Sequence, residues 1–180
     1  MKMRKGQTAM EYLMTYGWAI LIIMVVLAVL FYLGVLNPSG MTPSQCTFPP
    51  GFTCVTNKLK TNGFLYLIVG QGTGKNIRIM GINCTQNTSL TFPTDGRILW
   101  TSPNNITVAS GSQVTLANPG ATDFTNTTTC NLANGSPVAT TLSPMPIGSI
   151  YNGRVYINYT EIDTGLTRVI VGTYTAKYEP

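Results

Sequence analysis

Residues 5–36 read KGQTAMEYLMTYGWAILIIMVVLAVLFYLGVL, and the architecture of the chain turns on how they are understood. Lys5 and Glu11 are the only charges in the stretch, and from Ala19 to Leu36 none occurs. A helix apolar on every face belongs in a bilayer or among other helices. Started near Thr8 and stopped before the Asn37-Pro38 breaker, it has roughly 29 residues and a length of about 43 Å. That is ample for the ~30 Å hydrocarbon core of a membrane. No proline interrupts it, and Gly17 is the point of lowest propensity, by about 1 kcal/mol.

On the N-terminal side lie Lys2, Arg4 and Lys5, and Glu11 is the sole charge between Gly6 and Lys58. Basic residues confined to the front of an apolar run keep the N-terminus cytoplasmic and send everything after Asn37 outside. A cleaved secretory signal fits poorly, because the apolar run is too long, lacks an A-x-A-like end and is preceded by a glutamate. A single-span anchor suits the length and the flanks but leaves Glu11 unexplained, since a carboxylate at the edge of a span must be neutralised. An acid in the first helical turn gains about 0.3–1 kcal/mol from the macrodipole, which is a second account of Glu11.

Gly6, Gln7, Glu11 as the fifth residue after that junction, Tyr12-Leu13 and the run through Met14-Thr15-Tyr16-Gly17-Trp18-Ala19-Ile20-Leu21 resemble the class III signal peptide of archaeal type IV pilins. The resemblance covers about the first 36 residues. It implies that a membrane prepilin peptidase cuts between Gly6 and Gln7 on the cytoplasmic side, so that the helix stays on the mature subunit. It also implies a filament of many copies with the helices at its core, built by a cytoplasmic assembly ATPase and a membrane platform protein. Glu11 is then expected to meet the free amine of a neighbouring subunit, because either charge alone in low dielectric is heavily penalised. Cyclisation of Gln7 would remove that amine and shrink the role of Glu11. The expected location is the cytoplasmic membrane for the precursor and the cell surface for the pilus.

Beyond the helix the composition changes abruptly. Residues 37–45 are rich in Pro, Ser, Gly and Thr and read as a neck. From there the chain is rich in Thr, Asn, Ser and Gly, with short apolar runs of β type. Candidate strands are 64–69, 76–82, 97–100, 106–109, 113–117, 154–159 and 168–177. The last two flank 160–167, a hairpin connection. These elements predict an α+β chain made of a long N-terminal helix and an all-β, immunoglobulin-like β-sandwich head. The expected divisions are leader 1–6, helix 7–36, neck 37–45 and extracellular head 46–180.

Cys46, Cys54, Cys84 and Cys130 all follow the apolar segment, and their even number suits two disulfides outside the cell. Of the three pairings, Cys46 with Cys54 and Cys84 with Cys130 is preferred, the first pair bracketing a short Pro-rich loop. Zinc is a poor rival, as the chain has no histidine and no C-x₂-C pair. Acceptor triplets for N-linked sugar stand at Asn83, Asn87, Asn105, Asn126, Asn134 and Asn158, all on the outer side of the topology. Pro137 weakens the Asn134 triplet, and the neighbouring Cys84 restricts access to Asn83.

The net charge of +5 owes three of its charges to residues 1–6, and without them eight Lys and Arg face six Asp and Glu. The remainder forms no basic stripe, so nucleic acid is not expected as a partner. Gly70-Gln71-Gly72-Thr73-Gly74-Lys75 is similar to a phosphate loop but lacks the G-x₄-G-K-[ST] spacing and reads as a flexible hairpin turn. Glu161 and Asp163 are too few for a calcium site and read as a solvated turn. With no histidine and no G-x-S-x-G, no catalytic residues, cofactor or metal are expected, and the chain is read as a non-enzyme. Within the same family an archaellin or a pseudopilin-like, sugar-binding subunit shares the signal. From another class, a membrane-anchored binding protein would keep its leader and use an aromatic-lined pocket at Trp100 or Tyr66.

Overall fold

A computed structural model describes residues 5–34, 43–88, 98–99, 105–117, 128–138 and 143–180. The chain divides into two compact units, Met1–Thr42 and Pro43–Pro180. The first holds one helix, α1 (Lys5–Tyr32), of 28 residues. It starts three residues before the expected Thr8 and stops four before Leu36. Nothing in Lys5-Gly6-Gln7 forbids helical backbone, so the helix propagates toward the N-terminus. Its C-terminal end is set by Gly34, whose φ of 70° is left-handed and free of penalty only for glycine. The Leu33 and Gly34 amides bond back to the carbonyls of Val29 and Phe31 at 2.9 and 3.0 Å, which satisfies two carbonyls of the last turn. Val35 and Leu36 lie outside the described residues. Gly17 sits inside an unbroken helix.

The second unit is β throughout: β1 (Gln45–Thr47), β2 (Phe52–Lys60), β3 (Leu65–Gln71), β4 (Ile77–Thr85), β5 (Ile98–Leu99), β6 (Ile106–Val108), β7 (Gln113–Ala117), β8 (Cys130–Asn131), β9 (Ile150–Glu161) and β10 (Thr167–Glu179). The strands form one hydrogen-bonded sheet in the order β5-β4-β9-β10-β2-β3-β7, with β1 also pairing β10 and β6 and β8 pairing β4. Most pairs are antiparallel; β10–β2 and β4–β8 are parallel. A helix followed by a large β domain is α+β, and the sheet itself is mixed and barrel-like.

β10 links the two halves of the sheet. One edge pairs with β9 from Thr167↔Thr160 to Lys177↔Ile150. The other edge takes β1 at residues 173–175 and β2 at Tyr178 and Glu179. Just before the β1 contact Gly172 lies under the ring of Phe48, where a Cβ would fall 2.5 Å from the ring carbons.

All seven expected strands are present in part or whole, whereas β1, β2 and β8 were not expected. β2 escapes a period-2 reading for a physical reason. Phe52 and Leu59 are both buried, yet their positions differ by an odd number, which in a regular strand would put them on opposite faces. A bulge between Cys54 and Thr56 resets the alternation. β4 uses the same device between Ile79 and Gly81, so that Ile77, Ile79 and Ile82 all point inward. The core they enter contains Leu65, Leu67 and Val69 of β3, Val155 and Ile157 of β9, and the rings of Tyr151, Tyr174 and Tyr178.

A second difference concerns residues 70–75. β3 and β4 do not pair with each other, so this is a corner between distant strands and not a hairpin turn. It is also pinned: the Gln71 side-chain amide donates to Thr73 Oγ1 at 2.8 Å and to the Lys75 carbonyl at 2.6 Å.

Candidate functional site

The feature with the strongest functional content is α1 itself. Met10–Tyr32 has a mean hydropathy of 2.5, is long and apolar enough to cross a membrane, and buries none of its residues within the chain. Its large side chains stand open, Met14 at 79% and Trp18 at 71% exposed. Such a surface is costly in water by roughly 25 cal/mol per Å² of apolar area and requires a covering.

Glu11 lies on this helix, in its second turn, because α1 begins at Lys5. The macrodipole acts mainly within the first turn, so it does not account for the acid. The Thr15 hydroxyl donates to the Glu11 backbone carbonyl at 2.9 Å, which places a polar i, i+4 pair on one side of the helix entrance. Tyr12 and Tyr16 form a second such pair, with ring centroids 4.2 Å apart. Gly6 and Gln7 are helical in backbone, as is Lys5. Lys2 and Arg4 lie outside the described residues.

On the head, the four cysteines are joined as Cys46–Cys54 and Cys84–Cys130, with Cα atoms 5.9 and 4.5 Å apart. The first bond ties β1 to β2, and the second ties β4 to β8 at directly opposed positions. With every thiol oxidised, the cysteines offer no thiolate to a metal.

The six acceptor asparagines occupy different surroundings. Asn83 is fully buried in β4, and Asn158 is half-buried in β9 between β4 and β10. Asn87 and Asn105 are half-buried near strand ends, Asn134 is exposed in a turn, and Asn126 lies outside the described residues. Peptide mapping of native material should therefore find Asn83 bare and Asn158 nearly so, with sugar on Asn87, Asn105 or Asn134. A fully occupied Asn83 would mean that transfer precedes folding of the head.

The solvated-turn reading of Glu161 does not hold. Its side chain is only 10% exposed and receives Lys75 Nζ at 2.7 Å, Arg168 Nε at 2.9 Å and the Thr164 hydroxyl at 2.9 Å. Asp163 remains exposed in the turn. The hydrogen bond from Lys75, then that from Thr164, hold the Glu161 carboxyl below the usual carboxylate range, against the opposing effect of burial. A depressed pKa stabilises the folded state above the unfolded value, and that stabilisation fades as pH falls below about 4.5 and through the folded value. Amide exchange at the β9–β10 turn should accelerate over that acid range. Glu161→Gln should be faster at neutral pH and insensitive to the same titration; an unchanged profile in the variant would remove Glu161 as the cause.

A depression of about 330 Å³ opens over Gly70, walled by Thr53, Gln71, Gly111, Ser112 and Gln113, and no aromatic side chain lines it. Tyr66 stands half-buried on β3, outside this depression, and Trp100 lies outside the described residues. Glu11 was visible in the sequence as a lone charge, whereas the Lys75–Glu161–Arg168 cluster was not, its first two members lying 86 residues apart. No protein-family model matches this sequence, and no curated protein matches it.

Proposed function

We propose that this chain is the structural subunit of an extracellular archaeal type IV pilus, serving surface adhesion or cell–cell contact. The observation that carries the reading is α1: a membrane-length helix with no side chain buried in its own chain, one carboxylate near its entrance and a basic cluster in front of it. In the precursor, bilayer covers that surface; in the fibre, the helices of other copies do. Each subunit then presents two different surfaces, and the contact repeats without closing, which gives a helical filament. A prepilin peptidase removes residues 1–6 at the Gly6–Gln7 bond, and a cytoplasmic ATPase and a membrane platform protein drive insertion. The subunit itself performs no catalysis and needs no cofactor.

In this reading the head is an immunoglobulin-like sandwich whose two faces lie on either side of β10, and it coats the outside of the fibre. Two disulfides and the acceptor asparagines suit that extracellular position.

The test is intact mass and N-terminal peptide mapping of material sheared from native cells. A mature start at Gln7 in a sedimenting fraction is the expected result. Protein confined to the membrane with residues 1–6 attached would replace the filament subunit by an anchored surface protein.

A further inference from the structure

We propose that α1 has one preferred depth in a bilayer, with the hydrocarbon beginning at Tyr12 and ending at Tyr32. This leaves Glu11 in the cytoplasmic headgroup layer and the Gly6–Gln7 bond on a helical stub outside the apolar core. The inference deepens the proposed function and rests on its membrane stage alone.

The helix carries its own ruler. Tyr12 and Tyr32 are separated by a rise of about 30 Å, which matches the ~30 Å hydrocarbon thickness. Aromatic residues with an apolar body and a polar tip gather at membrane interfaces. Here Tyr12 and Tyr16 lie at one end of the apolar run and Phe31 and Tyr32 at the other. Helical side chains lean toward the N-terminus, so Tyr16 reaches back to the level of Tyr12. Their 4.2 Å ring contact is that arrangement. Trp18 lies about 9 Å inside Tyr12 along the axis, and the same lean brings its ring closer to the interface. The outer limit coincides with the end of the helix, since Gly34 turns left-handed two residues past Tyr32.

The placement of charge limits the register from the inner side. No charged residue lies between Tyr12 and Gly34, and Glu11 stands immediately outside the inner aromatic pair. Moving the helix one turn outward would draw the Glu11 carboxylate about 5 Å into hydrocarbon, where charge is disfavoured. Moving it one turn inward would strand Leu13 and Met14 in the inner headgroups and pull Phe31 and Tyr32 off the outer interface. At the intermediate register the Gly6–Gln7 bond sits about 8 Å beyond the apolar boundary, within helical backbone. A protease must therefore unwind the first turn before cutting.

The experiment uses the full chain in vesicles of phosphatidylcholine and phosphatidylglycerol, with lipids brominated either at carbons 6 and 7 or at carbons 11 and 12. Trp18→Phe and Trp100→Phe remove the native reporters, and Tyr12→Trp, Ile22→Trp or Tyr32→Trp introduces one at each level. Position 22 should be quenched at least twofold more by the deep bromines, and positions 12 and 32 at least twofold more by the shallow ones. The native Trp18, read in Trp100→Phe alone, should fall between these limits and checks that the substitutions leave the register intact. Position 12 quenched as deeply as position 22 would overturn the register while keeping the helix in the membrane. Loss of deep quenching at every position would overturn the register and the membrane stage of the proposed function together.

Discussion

Replacing Glu11 by glutamine should leave cleavage at Gly6–Gln7 within about twofold of normal and reduce fibre yield by a factor of 100 or more. The substitution keeps size, shape and helix propensity and removes only the charge. Among the described residues the Glu11 carboxylate has no partner in its own chain, and in the proposed fibre a neighbouring subunit would supply one. In the proposed filament, helix packing would move the acid from a solvated layer to low dielectric. There, leaving one member of an ion pair unmatched costs about 3–5 kcal/mol, or roughly two to nearly four orders of magnitude for each subunit added. Glu11→Ala should do at least as much harm, and Glu11→Asp, with its charge on a shorter stem, should retain an intermediate yield. The measurement is the sheared fibre fraction against total processed subunit. Normal fibres from Glu11→Gln would demote the acid to a helix-end residue, and a cyclised Gln7 in native fibres would remove the amine that the pairing needs.

The parts that the sequence makes legible are those that depend on local chemistry. A lone charge beside an uninterrupted apolar run is visible without any tertiary information, and so is a Thr- and Val-rich strand such as β7 or β10. The ends of α1 were harder to place, because Gly34 looks like one more apolar-run residue until its left-handed backbone shows it to be the stop. β2 was missed because Val55, the extra residue of its bulge, shifts Phe52 and Leu59 out of phase, and Lys58 and Lys60 add charge to the strand. The corner at 70–75 illustrates a different limit: glycine-rich composition signals a turn, but whether the flanking strands pair depends on partners far along the chain. Glu161 belongs to the same class, since its ion partners come from the β3–β4 corner and from the far side of the β9–β10 turn. For the cysteines, the short Cys46–Cys54 spacing was informative, and the remaining bond followed by elimination.

Removing the Cys84–Cys130 bond, as the double variant Cys84→Ala/Cys130→Ala, should lower the thermal midpoint of the head by roughly 10–15 °C. The bond closes a loop with a sequence separation of 46, against 8 for Cys46–Cys54. By the chain-entropy account the longer loop is worth about 4 kcal/mol and the shorter about 2.5 kcal/mol. Position strengthens the difference. Both Cys84 and Cys130 are fully buried, and β8 is a two-residue strand whose ladder pairs are Cys84↔Cys130 and Thr85↔Asn131. The Tyr151 hydroxyl reaches the Asn131 carbonyl at 3.0 Å, so loosening β8 also disturbs a tyrosine at the centre of the core. Cys46 and Cys54 are half-buried, and β1 keeps its own pairing with β10, so the matching double alanine variant there should cost only roughly 5–10 °C. Circular dichroism of the full-length chain in detergent, followed in the β-sheet band, compares the two variants directly. If breaking Cys46–Cys54 proved the more damaging, the stability of the head would reside at its neck-proximal edge, and the buried link between β4 and β8 would be secondary.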